Sequence, residues 1–171
     1  DQYAPSDQLI VVPPIAEIAP NGSQVFRVTT RLQPSPQEAA FRLVLDDVTQ
    51  LADPAAGTDG MQVVLRVNHN LPVFFAGAGE PTSAPAIAAC TGVAKPGRGC
   101  VRIENAGNRH LAVKSIHLSR GGWQLDLSAS ARVLAGAFKQ WEFDLPDAPT
   151  GNLHVRAETS TGALDGELPS E

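Results

Sequence analysis

Few side chains in this sequence have the types and spacing that catalysis or metal binding requires. The four histidines are His69, His110, His117 and His154. They form neither an H-x-H nor an H-E-x-x-H pattern, so each is predicted to be a surface or turn residue rather than a metal ligand. Asp46 and Asp47 are adjacent, and adjacent strand residues point to opposite faces, so the two carboxylates would not readily share one site. No nucleophile elbow, phosphate-binding loop or dinucleotide-binding pattern occurs, and we predict a protein without enzymatic activity, metal or cofactor.

The two cysteines, Cys90 and Cys100, do have a suggestive spacing. Between them lies the turn-forming run Lys95-Pro96-Gly97-Arg98-Gly99, so they are predicted to lie across a reversal of the chain. The alternatives are a disulfide made in an oxidising compartment and two reduced thiols in the cytosol. We favour the disulfide, which would stabilise the fold by roughly 2–3 kcal/mol if it acts through the entropy of the unfolded chain.

Composition limits the class of protein. The chain has 171 residues, of which 43% are hydrophobic and 18% are charged, which is enough for a packed core in one large or two small domains. The formal net charge is -5 and no strongly basic patch is present, so nucleic acid is not an expected partner. The longest apolar stretches are too short to cross a bilayer, which argues against membrane insertion.

The regular secondary structure of this chain is predicted to consist of strands. Apolar and polar residues alternate in Gln24–Leu32 and in Phe41–Asp46, and the same pattern returns around Trp123 and Trp141. Proline and glycine separate these runs, and helical periodicity is weak throughout, so the chain is predicted to be all-β, with a β-sandwich architecture. One hairpin is predicted across Asn105–Asn108, between the strand segments Val101–Ile103 and Leu111–Val113.

One strand is predicted to be unusually long. Alternation continues from Met61 to Phe75, which would span roughly 50 Å as an extended chain. After it, residues 76–86 are small, rich in glycine and proline and nearly uncharged, as expected of a domain boundary. We therefore predict an N-terminal domain at residues 1–77, a linker at 78–86 and a C-terminal domain at 87–171.

Four predicted strand segments follow one another in an order that is similar to that of a known family. The first ends in Pro13-Pro14, the second contains the Asn21-Gly22 turn and Arg27, the third ends near Asp46-Asp47, and the fourth is the long segment Met61–Phe75. This order resembles the PapD-like periplasmic chaperones of the chaperone–usher pathway. The sequences Leu71-Pro72-Val73-Phe74-Phe75 and Asn105-Ala106-Gly107-Asn108-Arg109-His110 resemble the archaic or alternative branch of that family, the latter as the first hairpin of the second domain. The resemblance extends over nearly the whole chain and implies two immunoglobulin-like β-sandwich domains in a periplasmic protein.

The sequence departs from the family pattern in two respects. Family members have three further strands before the Pro-Pro strand, so the first domain is expected to lack its N-terminal strands and to show unpaired edges. The family also binds the terminal carboxylate of a pilin with two basic residues, one of them in the missing first strand. Asn70 stands where the second, a lysine on the long strand, is expected, and Arg66 on the same face is a candidate substitute.

The resemblance implies that the chaperone donates its long strand to the open groove of a pilin or fimbrial subunit and delivers that subunit to an outer-membrane usher. The residues implied for subunit binding are Met61, Val63, Leu65, Val67, Arg66 and Asn70. From alternation alone, the apolar face of these residues could instead pack in the protein's own core.

Two other classes of protein would share some of these features. A structural or adhesive protein with tandem immunoglobulin-like domains would share the strands and the disulfide, but would not need one overlong strand with an apolar face. An enzyme or a sugar-binding accessory module would be favoured by exposed aromatic residues, whereas alternation gives Trp123 and Trp141 core-like positions. The sequence therefore favours the chaperone.

Overall fold

A computed structural model describes residues 4–48, 66–90, 97–145 and 151–169. All regular secondary structure in these residues is β, which confirms the predicted all-β class. The strands are β1 Leu9–Val12, β2 Arg27–Thr30, β3 Ala39–Leu45, β4 His69–Phe75, β5 Pro85–Ala89, β6 Arg98–Asn105, β7 Leu111–Arg120, β8 Trp123–Val133, β9 Ala137–Asp144, β10 Leu153–Thr159 and β11 Gly162–Leu168. Over the same ranges, no helix has the length and apolar character that crossing a membrane would require.

The chain divides into two compact units. The first consists of Asp1–Gln33 and Ala40–Phe75, and the second of Pro34–Ala39 and Ala76–Glu171. The short segment Pro34–Ala39 thus belongs to the second unit, although its neighbours on both sides in sequence belong to the first. Pro85 and Ala86, which end the predicted linker, are the first two residues of β5.

The first unit contains two separate two-stranded sheets. β1 pairs with β2 in antiparallel register, from Leu9 opposite Thr30 to Val12 opposite Arg27, and β3 pairs with β4. The predicted Asn21-Gly22 turn is present, since Gly22 N donates to Ala19 O at 2.8 Å. Within the described residues of this unit, no side chain is fully buried, and each sheet consists of two strands. The predicted absence of N-terminal strands stays a prediction.

The predicted long strand is shorter in the structure. β4 begins at His69, and Arg66, Val67 and Asn68 lie outside any strand, while Met61–Leu65 lie outside the described residues. A strand forms where a neighbour completes its ladder of hydrogen bonds, and the pairing strand β3 is itself only 7 residues long. Alternation in sequence shows which face each residue would take, but it does not show how much of the segment finds a partner.

The second unit is a two-sheet sandwich with a continuous apolar core. One sheet has the order β11-β10-β7-β8 and the other the order β5-β6-β9. Alternate residues of these strands point inward and are almost fully buried: Val101, Ile103, Leu111, Val113, Ile116, Leu118, Val133, Phe143, Leu153, Val155, Ala157 and Leu168. Trp123 and Trp141 pack against this core, and the Trp123 ring stacks on Phe143 with centroids 6.0 Å apart. Their core-like positions agree with the alternation.

The predicted hairpin across Asn105–Asn108 is wrong. β6 pairs with β5 and β9, whereas β7 pairs with β8 and β10, so this turn carries the chain from one sheet to the other. Asn105 explains the difference, because its side chain is 2% exposed and is bonded to several backbone groups instead of solvent. Its amide donates to Arg109 O at 2.7 Å and Val133 O at 3.1 Å, and its Oδ1 accepts from Gly107 N at 3.0 Å.

An irregularity interrupts the pairing of β7 with β8. The register passes from Val113 opposite Ala131 to Ser115 opposite Ser128, so β8 contains one residue more than β7 over this stretch. Ser130 has a positive φ of 30°. This is a β-bulge, and it lies in the strand at the end of the four-stranded sheet.

The predicted disulfide between Cys90 and Cys100 is confirmed. Their sulfur atoms are 1.99 Å apart and their Cα atoms 5.8 Å apart. In the antiparallel pairing of β5 with β6, Ala89 lies opposite Val101, so the two cysteines continue this register by one pair. The bond therefore joins β5, a strand at the end of its sheet, to the central strand β6.

Replacement of both cysteines by alanine is expected to lower the free energy of unfolding of the second unit by about 3 kcal/mol, because the reduced chain regains the entropy of a short open loop. Urea unfolding followed by tryptophan fluorescence measures this, since both tryptophans lie in the second unit. Treating the wild-type protein with a reductant should reproduce the loss. An unchanged midpoint in both experiments would contradict the prediction.

Candidate functional site

Three residues of the predicted subunit-binding set lie in the described part of the chain. Arg66, Val67 and Asn70 are all exposed, and Val67 retains 61% of its accessible surface. The other three, Met61, Val63 and Leu65, lie outside the described residues. These three described residues are not part of a core, and their role in subunit binding stays a prediction.

A cleft of about 370 Å³ lies in the first unit beside Asn70. Its lining comes from the N-terminal segment, β1, β3 and β4: Ala4, Pro5, Ser6, Leu9, Phe41, Arg42, Val44 and Asn70. Most of this lining is apolar, and Arg42 and Asn70 provide a guanidinium and an amide. Asn70 is the one described member of the predicted set that the structure places in the cleft.

β3 and β4 hold the polar side chains of this cleft in place. Phe41 and Leu43 are half-buried, whereas Arg42 and Val44 on the alternate positions are exposed. The Phe41 and Phe75 rings meet edge to face with centroids 5.9 Å apart, which brings the start of β3 beside the end of β4. An apolar cleft beside open strand edges, with one cation and one amide, suits binding of an extended peptide.

Sequence reasoning did not identify Arg42 as a site residue. Alternation placed Arg42 on the opposite face of a predicted strand from Phe41 and Leu43, and in the structure Arg42 lines the cleft together with Asn70. The two residues are far apart in sequence, so the missing information was the pairing of β3 with β4. Asp46 and Asp47 indicate where the third segment ends, but they do not indicate that β3 pairs with β4.

The histidines do not assemble a metal or catalytic centre in the described ranges. His110 Nδ1 lies 2.8 Å from Glu38, His117 Nδ1 lies 2.7 Å from Asp126, and His154 Nε2 lies 3.7 Å from Glu167. Each of these three histidines therefore faces one carboxylate, and His69 is exposed on β4. No group of three or more histidine, cysteine, aspartate or glutamate side chains in the described residues could hold a metal ion.

Comparisons with known proteins agree with this architecture. Residues 1–79 match the family model described as pili and flagellar-assembly chaperone, PapD N-terminal domain. Among solved structures, the CupB2 chaperone of Pseudomonas aeruginosa has a similar fold, with a TM-score of 0.51 and 18% sequence identity over 96% of this chain and 75% of that chain. No curated protein matches the chain significantly.

The matched residues contain every segment that lines the cleft. The cleft runs from Ala4 to Asn70 in sequence, which lies within the range of the family model. The similarity of fold to CupB2 covers 96% of this chain and so extends beyond that range. Residues 1–79 of this chain are thus similar to the PapD N-terminal domain of pili and flagellar-assembly chaperones, and the fold of the whole chain is similar to that of a chaperone.

Proposed function

We propose that this protein is a periplasmic chaperone that binds pilus or fimbrial subunits by donor-strand complementation and delivers them to an outer-membrane usher. The observation that carries this proposal is the apolar cleft beside Asn70, which lies beside open strand edges within the residues that match the chaperone family. A subunit that lacks one strand would gain a ladder of backbone hydrogen bonds from such an edge.

The apolar ridge of the donated segment would supply the register. Met61, Val63, Leu65 and Val67 occupy alternate positions in the sequence, so in an extended conformation their side chains share one face. A slip of one residue would present Gln62, Val64 and Arg66 to the subunit instead, and the slipped complex would lose the apolar contacts.

The polar end of the cleft would receive the terminal carboxylate of the subunit. We propose that Asn70 or Arg66 lies near that carboxylate, as the sequence predicts. Arg42 lines the same cleft as Asn70 and supplies the positive charge that the amide lacks. A guanidinium can donate two parallel hydrogen bonds to one carboxylate, which is stronger than a single bond from a neutral amide.

The experiment that tests the proposal replaces Val63 and Leu65 by aspartate and measures how much pilin subunit co-purifies with the chaperone. We expect the recovered subunit to fall more than about tenfold, since burial of each such side chain contributes about 1.5–3 kcal/mol. Val64→Asp is the matched control, because the same type of change lies on the opposite face of the segment.

A melting curve of each variant separates the possible outcomes. A folded double variant that still recovers the normal amount of subunit would contradict the proposed function and favour a structural or adhesive protein with tandem immunoglobulin-like domains. A double variant that unfolds would show that this face packs in the protein's own core.

A further inference from the structure

Three segments of the second unit meet in a cluster of hydrogen bonds that we call the root cluster. It consists of Ser35–Glu38, Gly77–Thr82 and Asn108–His110. The first segment is separated from the others by at least 38 residues in sequence, and these contacts are among those that join it to the second unit.

Asn108 is bonded to both of the other segments of the root cluster. Its Nδ2 donates to Pro36 O at 3.2 Å and to Glu80 O at 2.8 Å. Its Oδ1 accepts from Thr82 N at 2.8 Å, and its backbone N donates to Thr82 Oγ1 at 3.1 Å. Its backbone O accepts from Glu38 N at 3.0 Å, so all four of its polar groups have partners in the cluster.

Arg109 and His110 add hydrogen bonds to the other two segments of the root cluster. Arg109 Nη2 donates to Gly77 O at 2.8 Å and to Gly79 O at 3.2 Å. His110 N donates to Glu38 Oε1 at 3.0 Å, and the Glu38 side chain is only 7% exposed. A carboxylate with this little access to water needs these bonds, so the Glu38 end of the segment is firmly held.

Gly77 brings two backbones into direct contact. Ala78 N donates to Ser35 O at 2.7 Å, which joins the two segments without any side chain. A Cβ atom at Gly77 would clash with Pro36 O and would lie 2.8 Å from Ser35 O, a distance that real Cβ atoms do not reach. Only glycine allows this close approach.

The root cluster lies where β3 begins and β4 ends. β3 starts at Ala39, directly after Glu38, and β4 ends at Phe75, two residues before Gly77. These two strands carry Arg42 and Asn70, the polar side chains of the cleft. The cluster therefore joins the segment just before β3 to the segment just after β4.

We propose that the root cluster positions β3 and β4 for subunit binding, with Gly77 as the residue that permits the required backbone contact. This inference rests on the proposed function. Ordering the ends of two strands before a partner arrives removes part of the entropy loss that would otherwise oppose binding. The cluster acts through the strands and does not itself contact the subunit.

The test compares Gly77→Ala with Gly79→Ala in the full chain. At Gly79 the nearest atoms to an added Cβ are Asn108 Nδ2 at 3.5 Å and Pro36 Cβ at 3.6 Å, which is ordinary van der Waals contact. Each variant competes with tagged wild-type chaperone for a limiting amount of pilin subunit. We expect Gly77→Ala to compete about tenfold less well and Gly79→Ala to match the wild type within about twofold, since only the former disturbs the ordered ends.

Hydrogen exchange in the absence of subunit distinguishes positioning from general destabilisation. In Gly77→Ala the amides of Glu38, Ala78 and Thr82 should exchange faster, while those of β7 and β10 keep the wild-type rate. If Gly77→Ala does not fold, Asn108→Asp replaces it, because the carboxylate keeps the acceptor for Thr82 N and loses the donations to Pro36 O and Glu80 O.

Equal competition by Gly77→Ala and the wild type would overturn the inference and leave the proposed function standing. Faster exchange throughout β7 and β10 would also overturn it, since the loss of binding would then follow from unfolding. Failure of the wild-type chaperone to capture any subunit would contradict the proposed function itself, and it would be seen before any variant is compared.

Discussion

Replacement of Asn105 by aspartate is expected to lower the free energy of unfolding of the second unit by about 3–5 kcal/mol at neutral pH, because it buries a charged carboxylate against backbone oxygens to which it cannot donate a hydrogen bond. The Asn105 amide donates to three backbone oxygens, those of Arg109, Val133 and Leu134. A carboxylate in the same place would face these oxygens with no hydrogen to donate. Asn105→Ala removes the donor without adding charge, so its loss should be smaller, about 2–3 kcal/mol.

Acid provides an internal control for this prediction. The carboxyl introduced by Asn105→Asp can take up a proton and donate one hydrogen bond, so its deficit should shrink as the pH falls, while the deficit of Asn105→Ala stays constant. Urea unfolding followed by tryptophan fluorescence at several pH values measures both. An equal loss of unfolding free energy for the two variants at every pH would contradict the prediction. It would show that the hydrogen bonds donated by Asn105 do not determine the stability of the turn between β6 and β7.

Replacement of Ile116 by alanine is expected to cost about 2–5 kcal/mol of second-unit stability, the range for removing a large side chain from a packed core. Ile116 is 0% exposed and lies in the middle of the four-stranded sheet, opposite Ala157 on β10 and Leu127 on β8. It has a neighbouring strand on each side within its own sheet and is fully buried in the core, so the cavity cannot close by a small local movement.

Leu43→Ala is the matched control for Ile116→Ala. Leu43 lies in β3 of the first unit and is only half-buried. We expect it to leave the fluorescence transition within about 0.5 kcal/mol of the wild type, since both tryptophans report on the second unit. A large shift of this transition for Leu43→Ala would contradict the conclusion that, among the described residues, the buried core lies in the second unit.

The amino-acid sequence predicts local features of this fold well and distant pairings poorly. The disulfide and the inward-facing tryptophans follow from spacing and alternation, which are properties of neighbouring residues. The hairpin across Asn105–Asn108 failed because asparagine and glycine favour both a tight hairpin and a crossing between sheets. The burial of the Asn105 side chain decides between them, and that burial depends on Val133, the last residue of β8, and on Leu134 directly after it, both distant in sequence.

At the candidate site, too, features that depend on local sequence were predicted and features that depend on distant contacts were not. The resemblance named Asn70 as a candidate and the structure places it in the cleft, while the role of Arg66, Val67 and Asn70 in subunit binding stays a prediction. Arg42 and the segment Pro34–Ala39 were not found, since each depends on contacts made across many residues of chain. For Pro34–Ala39, proline and serine in sequence indicated only a loop, and nothing local shows that this loop belongs to the second unit.

The bulge at Ser130 bears on how this protein behaves when it is concentrated. Among the described strands, β8 ends the four-stranded sheet, and its outer backbone groups would otherwise offer a template for a strand from another molecule. An extra residue and a positive φ in its C-terminal half break the regular spacing of those groups, so a second strand could pair with only part of the edge. The second unit thereby presents an interrupted edge, which favours a dispersed state over edge-to-edge aggregates.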